Sequence, residues 1–215
     1  HKMEAYIASC HSRFMQYGAV KINPMSRLGL AVENIILITE HNAYDIVVMG
    51  TRGAGNVTTK LLGTNTACVI DNIHQPVLAV PGMASFAPIK TIILATDLSN
   101  FTYSNASVVA QLANAFQAEI LLLHIVDAMP QNIDDLKRLH LERAKARLNY
   151  HNINMEVVED HNVEHGISEY LNSHQAEILT MTIHHRNSFQ KIFNPSLTRQ
   201  MSYHTTLPLL AIHSK

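Results

Sequence analysis

Three glycines and a hydroxyl, Gly50, Gly53, Gly63 and Thr64, are spaced as a main-chain cradle for an anion requires. A glycine lets a backbone N–H approach a ligand with no Cβ in the way. Gly63-Thr64-Asn65-Thr66 falls where a helix is expected to start, and a first helical turn carries unpaired N–H donors and the positive end of the helix dipole. Hydroxyl side chains there add further donors. The chemistry that suits such a set is the holding of phosphoryl oxygens. The spacing is neither that of a Walker loop nor that of the dinucleotide fingerprint, since GKS/T and a well-placed GxGxxG are both absent. The alternative is that the glycines only supply tight turns between a strand and a helix.

The elements that must position this loop are written on either side of it. Ile46-Val47-Val48-Met49 is a short, β-branched run, as a strand buried on both faces should be. Pro76-Val77-Leu78-Ala79-Val80 is a second such run, and the interval from Gly63 to Pro76 leaves room for about three helical turns. Strand, glycine loop, helix and strand therefore form one unit over Asp45 to Val80.

That unit is written twice. Shifted by 132 residues, Pro208-Leu-Leu-Ala-Ile212 falls on Pro76-Val-Leu-Ala-Val80, and Glu177-Ile-Leu-Thr-Met181 falls on Asp45-Ile-Val-Val-Met49 without a gap. The second copy reads as strands at Lys90–Thr96, Glu119–Val126, Ile153–Val158, 177–183 and 207–212. Its helices read as Asn100–Gln117, Ile133–His151, Val163–Ser173 and Ser196–His204. The inward residues expected of the first two helices are Val108, Val109, Leu112, Ala113 and Phe116, then Leu136, Leu139, Ala144 and Leu148. Alternating strands and helices imply an α/β fold of two tandem doubly wound parallel-sheet domains, with ligands at the carboxyl ends of the strands.

The first copy is expected to be incomplete. Met3–Tyr17 matches the long second helix, Ala19–Ile22 the third strand and Leu30–His41 the third helix, so the opening strand, first helix and second strand lack counterparts. By the repeat offset, roughly 40 residues are expected to precede His1 in the natural protein. The division that follows is a first domain over residues 1–82, a linker at 83–88 flanked by Pro81 and Gly82 and ending on Pro88, and a second domain over 89–215.

Composition excludes several classes. Of 215 residues, 47% are hydrophobic and 15% charged, which suits a packed core and argues against global disorder. A formal net charge of −1 gives no electrostatic footprint for nucleic acid or an anionic membrane. No apolar run approaches the ~20 residues of a membrane span. Cys10 and Cys68 stand singly, and of 14 histidines only His184 and His185 are adjacent, so neither a disulfide framework nor a metal site is expected. A reduced cytoplasm is the expected location. The chain begins at His1 with no signal-peptide pattern.

The G-x2-G-x9-G-(S/T) loop between these strands resembles that of the ATP-binding universal stress proteins, of the adenine nucleotide alpha hydrolase-like fold, and the resemblance covers essentially the whole chain. It implies that Gly50, Gly53, Gly63, Thr64, Asn65 and Thr66 contact phosphates, with Met49 and Arg52 beside the ribose and phosphates. Ala95-Thr96-Asp97-Leu98-Ser99 resembles the family's first-strand signature, whose Asp reaches adenine; the other reading of Asp97 is as a cap of the following helix, with Ser99 and Asn100. In the second copy the loop positions hold Thr182, His185, Pro195 and Ser196, so only Ser196 survives of that set. The second site, Asp97 with Ser196, is therefore degenerate and expected to bind nucleotide poorly or not at all.

The family resemblance implies ATP or another adenine nucleotide as the ligand, with or without Mg, and pairing of the two final strands, PVLAV and PLLAI, within one chain. Homo-oligomers are left open. From Gly50 to Val69 there is no Asp or Glu to act as base or metal ligand, so the site suits holding a nucleotide, with slow hydrolysis at most. The competing reading is a nucleotide-free interaction or scaffold module in which both sites are vestigial.

Overall fold

Runs of Val, Ile and Leu bounded by Pro, Gly and polar residues become strands, and the amphipathic stretches between them become helices. The computed structural model describes residues 5–10, 21–51, 63–98, 106–183 and 207–213. Residues 5–10 are helical. In chain order the elements that follow are α1 (Ala31–His41), β1 (Val47–Gly50), α2 (Thr64–Asn72), β2 (Val77–Val80) and β3 (Thr91–Ala95). Then come α3 (Ser107–Phe116), β4 (Glu119–Val126), α4 (Ile133–Leu148), β5 (Ile153–Glu159), α5 (Val163–Ser173), β6 (Ile178–Ile183) and β7 (Leu209–His213).

The strands form one seven-stranded sheet in the order β1-β2-β7-β6-β3-β4-β5. Every pairing is parallel except β2 with β7, which is antiparallel and aligns Val77 with Ala211, Leu78 with Leu210 and Ala79 with Leu209. The two halves thus meet through their final strands, as the family resemblance implied for the PVLAV and PLLAI runs.

The repeat is reproduced residue for residue. Val47 pairs with Val77 in one half, and Leu179 pairs with Leu209 in the other, each shifted by the same 132 residues. Helices α1 and α5 also coincide under that shift, end to end.

Side chains alternate across a strand, so each strand feeds two cores. On one face Ile92, Leu94, Ile120, Leu122, Leu210 and Ile212 pack under α3 and α4. On the other, Ile93, Leu121, Leu123, Val77 and Ala79 pack under α2 and α5, with Val32, Ile35 and Ile36 of α1 joining them. Helices therefore cover both faces. At Gly166 a Cβ would come within 3.0 Å of Ile125, so α5 sits close to β4 only because that position is glycine.

Several sequence expectations need correction. Helix α4 ends at Leu148 rather than His151, because Asn149 adopts the left-handed conformation at φ 49° and Tyr150 turns inward to bond the carbonyls of Ala113 and Ala118. Leu139 is exposed, while Leu141 packs against the core; the helical stripe runs through Ile133, Leu136, Ala144 and Leu148 and passes Leu139 by. Phe116, at 40% exposure, lies at the margin of the core rather than in it. Lys21 and Ile22 form no strand. A strand needs a paired neighbour, and among the described residues none stands beyond β1. The start of the Asn100 helix and the Ser196–His204 helix lie outside the described residues.

The outer edge of β1 has no partner among the described residues. Val48 is 61% exposed, whereas its counterpart Thr180, flanked by β3 and β7, is 0% exposed. An apolar edge with no charged side chain invites further pairing. Val48→Lys is expected to change stability by no more than about 0.5 kcal/mol and to reduce self-association in sedimentation velocity. Leu210→Ala, at the buried seam, is expected to cost about 2–5 kcal/mol in urea denaturation.

Candidate functional site

Strand β1 ends on Gly50, and Thr51 follows it. Thr51, 8% exposed, donates its N–H to the Val80 carbonyl at 3.0 Å, and so extends the ladder by one residue. Its own carbonyl accepts the Gly63 N–H at 2.7 Å. The two ends of the glycine loop are thereby joined directly. Thr51 was not singled out from the sequence; its signal is the period of two from Val47 and Met49, which places it on the buried side.

Helix α2 starts with Gly63 as its N-cap, in an extended conformation (φ −57°, ψ 145°), with no side-chain cap and no acidic residue in the first turn. Its first internal bond runs from the Ala67 N–H to the Gly63 carbonyl, 3.1 Å. The N–H groups of Thr64, Asn65 and Thr66 precede that bond and have no partner within the helix. Thr64 and Asn65 are exposed. Thr66 is 2% exposed, and its hydroxyl donates to the Gly50 carbonyl at 3.0 Å. This hydroxyl clamps the strand end to the helix start, so of Thr66 only the main chain is left to face a ligand.

Gly50 is exposed, and a Cβ built on it meets nothing within 4 Å, so open space lies beside the end of β1. Met49 is half-buried and packs under α2 with the second core. The structure thus brings Gly50, Thr51, Gly63, Thr64, Asn65 and Thr66 together at the carboxyl end of β1. Arg52 and Gly53 lie outside the described residues. Geometry and charge agree at this point: amides with no partner within the helix, a helix's positive end and no carboxylate in the first turn suit an anion.

In the second half, Asp97 follows β3 and is exposed at its carboxyl end. The described part of α3 begins at Ser107 with Ala106 as N-cap; the stretch from Ser99, on which the capping reading of Asp97 depends, lies outside the described residues. Ser196, with Ser99 and Asn100, lies outside the described residues. Among the described residues no group of three or more His, Cys, Asp or Glu is placed to hold a metal.

One ionisable side chain ties the two halves together. His213, on β7, places its Nε2 at 2.8 Å from the Ile70 carbonyl of α2, where a ring N–H donates. Burial holds its pKa below the ordinary 6.5, and the neighbouring His74 adds to the lowering, against the bond to Ile70 and the charge of Asp71.

A model of the family described as the universal stress protein family matches residues 14–81 and 88–213. A universal stress protein of Methanocaldococcus jannaschii is 37% identical over 60 residues, which is 28% of this chain and 37% of that protein. The match therefore spans little more than a third of that relative's length. A universal stress protein structure from Archaeoglobus fulgidus is similar with a TM-score of 0.69 at 18% identity, over 99% of this chain and 76% of that one. A putative universal stress protein from Pseudomonas aeruginosa gives 0.60 at 14% identity, over 98% and 78% respectively. At such identities the two structures bear on the fold alone. Among the described residues no helix is long and apolar enough to cross a membrane.

Two predictions follow from this geometry. Thr66→Val removes a buried hydroxyl's bond and leaves the Gly50 carbonyl without it, which should cost about 1 kcal/mol in urea denaturation. The lowered pKa of His213 means that, below the ordinary value of 6.5, the unfolded chain takes up a proton before the folded one does. Stability should fall as pH drops through that range, and His213→Gln should flatten the slope in thermal melts.

Proposed function

Because the chain belongs to the universal stress protein family, we propose that it is a stress-response regulator that binds ATP or another adenine nucleotide in its first half. The observation that carries this is the start of α2, where three successive amides lie at the end of β1 with no acidic side chain in the first turn. In this reading the N–H groups of Thr64, Asn65 and Thr66 receive phosphoryl oxygens, and the Thr64 hydroxyl and Asn65 amide add donors. Gly63, whose own N–H is given to Thr51, acts by leaving the cradle's mouth clear of a Cβ. Gly50 does the same at the strand end, and Gly53 and Arg52 complete the loop. Met49 borders the ribose.

The stretch from Gly50 to Val69 has no carboxylate, so an accompanying Mg would be carried by the phosphates rather than held by this loop. The same lack removes the base that efficient phosphoryl transfer needs. The half holds a nucleotide as a signal, and hydrolysis is slow at most. The second half, with Thr182 where the first has Gly50, makes no comparable cradle.

A second reading, a nucleotide-free interaction module, draws on the exposed apolar residues of the first half. Leu28 is 100% exposed, Leu30 66% and Val48 61%, and such side chains would mark an interaction surface if they formed one contiguous patch. Thermal melts separate the two. ATP at about a hundred times its Kd should add about 2.7 kcal/mol to the stability of the wild-type chain. Gly63→Asp, which sets a carboxylate against the phosphates, should abolish the shift. No shift at millimolar ATP would reject nucleotide binding and favour the interaction module.

A further inference from the structure

Helix α2 has a different neighbour at each end. At its start stand the amides of Thr64, Asn65 and Thr66, and in its last turn the Ile70 carbonyl accepts from the His213 ring at 2.8 Å. His213 is on β7, so this bond passes from the second half to the helix that carries the first half's cradle. Val69 and Ile70 are fully buried and share a core with Val77 and Ala79 of β2 and with Leu209 and Ala211 of β7. Helix α2 therefore joins the cradle to the seam.

A helix of nine residues with neither proline nor glycine has no place to kink, so a shift at one end is felt at the other. The tie is also one-sided. Under the repeat, the position matching His213 is Pro81, whose side chain offers no donor. Only the half with the glycine loop is held by a histidine of its neighbour.

The His213 ring is half-buried, and burial, more than any other cause, favours its neutral form. Among the described residues, the charges that act on it are those of His74, which adds to this preference, and of Asp71, which opposes it. On β6 its paired neighbour is Ile183, which carries no charge. A proton added to the ring sets a charge where a neutral ring is preferred. Turning the ring out to water relieves that cost and gives up the bond to Ile70.

We infer that His213 gates the cradle: with its ring neutral and bonded to Ile70, α2 is held where its first amides fit phosphate, and protonation frees the helix and weakens nucleotide binding. This regulation rests on the proposed nucleotide reading. A direct attraction between the charged ring and the phosphates would have the opposite sign. Thr64 and Ile70 are about 9 Å apart along the helix, so physiological salt screens most of that attraction. The coupling is reciprocal, and a bound nucleotide should in turn favour the neutral ring.

The first measurement needs no ligand. In the isotope-labelled full chain, NMR follows the His213 ring and the amides of Thr64, Asn65 and Thr66 from about pH 8 to about pH 5, where histidines titrate. The three amides should move with the midpoint of the His213 ring. In His213→Gln, which keeps a neutral donor at every pH, they should stay in place. ATP is then titrated at both ends of the range, with the variant correcting for ATP's own protonation. On acidification its Kd should rise at least about fivefold more in the wild type than in His213→Gln. Amides that ignore the ring, amides that titrate equally in the variant, or a ring with no midpoint in the range would overturn the inference. So would ATP binding that tightens on acidification relative to the variant. If the amides follow the ring while ATP binds at no pH, the coupling of ring to cradle is upheld and the nucleotide reading alone is rejected. If ATP binds equally at both ends of the range and the amides do not follow the ring, the gate alone is rejected.

Discussion

Three residue pairs across an antiparallel ladder, Val77 with Ala211, Leu78 with Leu210 and Ala79 with Leu209, make one sheet out of two parallel halves. Each half needs this. A final strand left at an edge would expose a row of unpaired amides and carbonyls, and these are apolar strands with no charge to guard them. Pairing the two final strands within one chain removes both edges at once. It also carries the two cores across the junction, since Leu210 belongs to one and Ala79 and Ala211 to the other. His213 adds a polar tie on the same seam by reaching the Ile70 carbonyl of the opposite half.

With the seam fixed, the same unit can serve two purposes. In one half the strand before the loop ends on Gly50, and the following helix offers its first amides across an open space. In the other the equivalent strand carries Thr180 and Thr182 and is flanked by β3, whose end adds Thr96.

Much of the fold was legible in the sequence because the repeat is free of gaps. An offset read from two apolar runs reproduces the strand register of both halves and the ends of α1 and α5. What was not legible depended on tertiary partners. The Ala19–Ile22 run has strand character, yet Lys21 and Ile22 form none, because propensity without a neighbouring strand leaves the ladder unmade. Leu139 reads as inward on hydrophobicity alone, and only the rotation of α4 against β5 decides that Leu141 is the one covered. At the candidate site the nearness of Gly50, Gly63, Thr64 and Asn65 was readable from spacing, while Gly53 lies outside the described residues. The inward turn of the Thr66 hydroxyl and the bond from Gly63 to Thr51 were not, since both depend on where the strand end meets the helix.

The central claim is that the opening amides of α2 receive phosphoryl oxygens. Amide NMR of the isotope-labelled chain during titration with ATP reads this at the atoms concerned. The account predicts that the N–H resonances of Thr64, Asn65 and Thr66 move most and saturate together, with inorganic triphosphate producing the same pattern. Those three resonances staying in place while others shift, or none shifting at millimolar ATP, would contradict it.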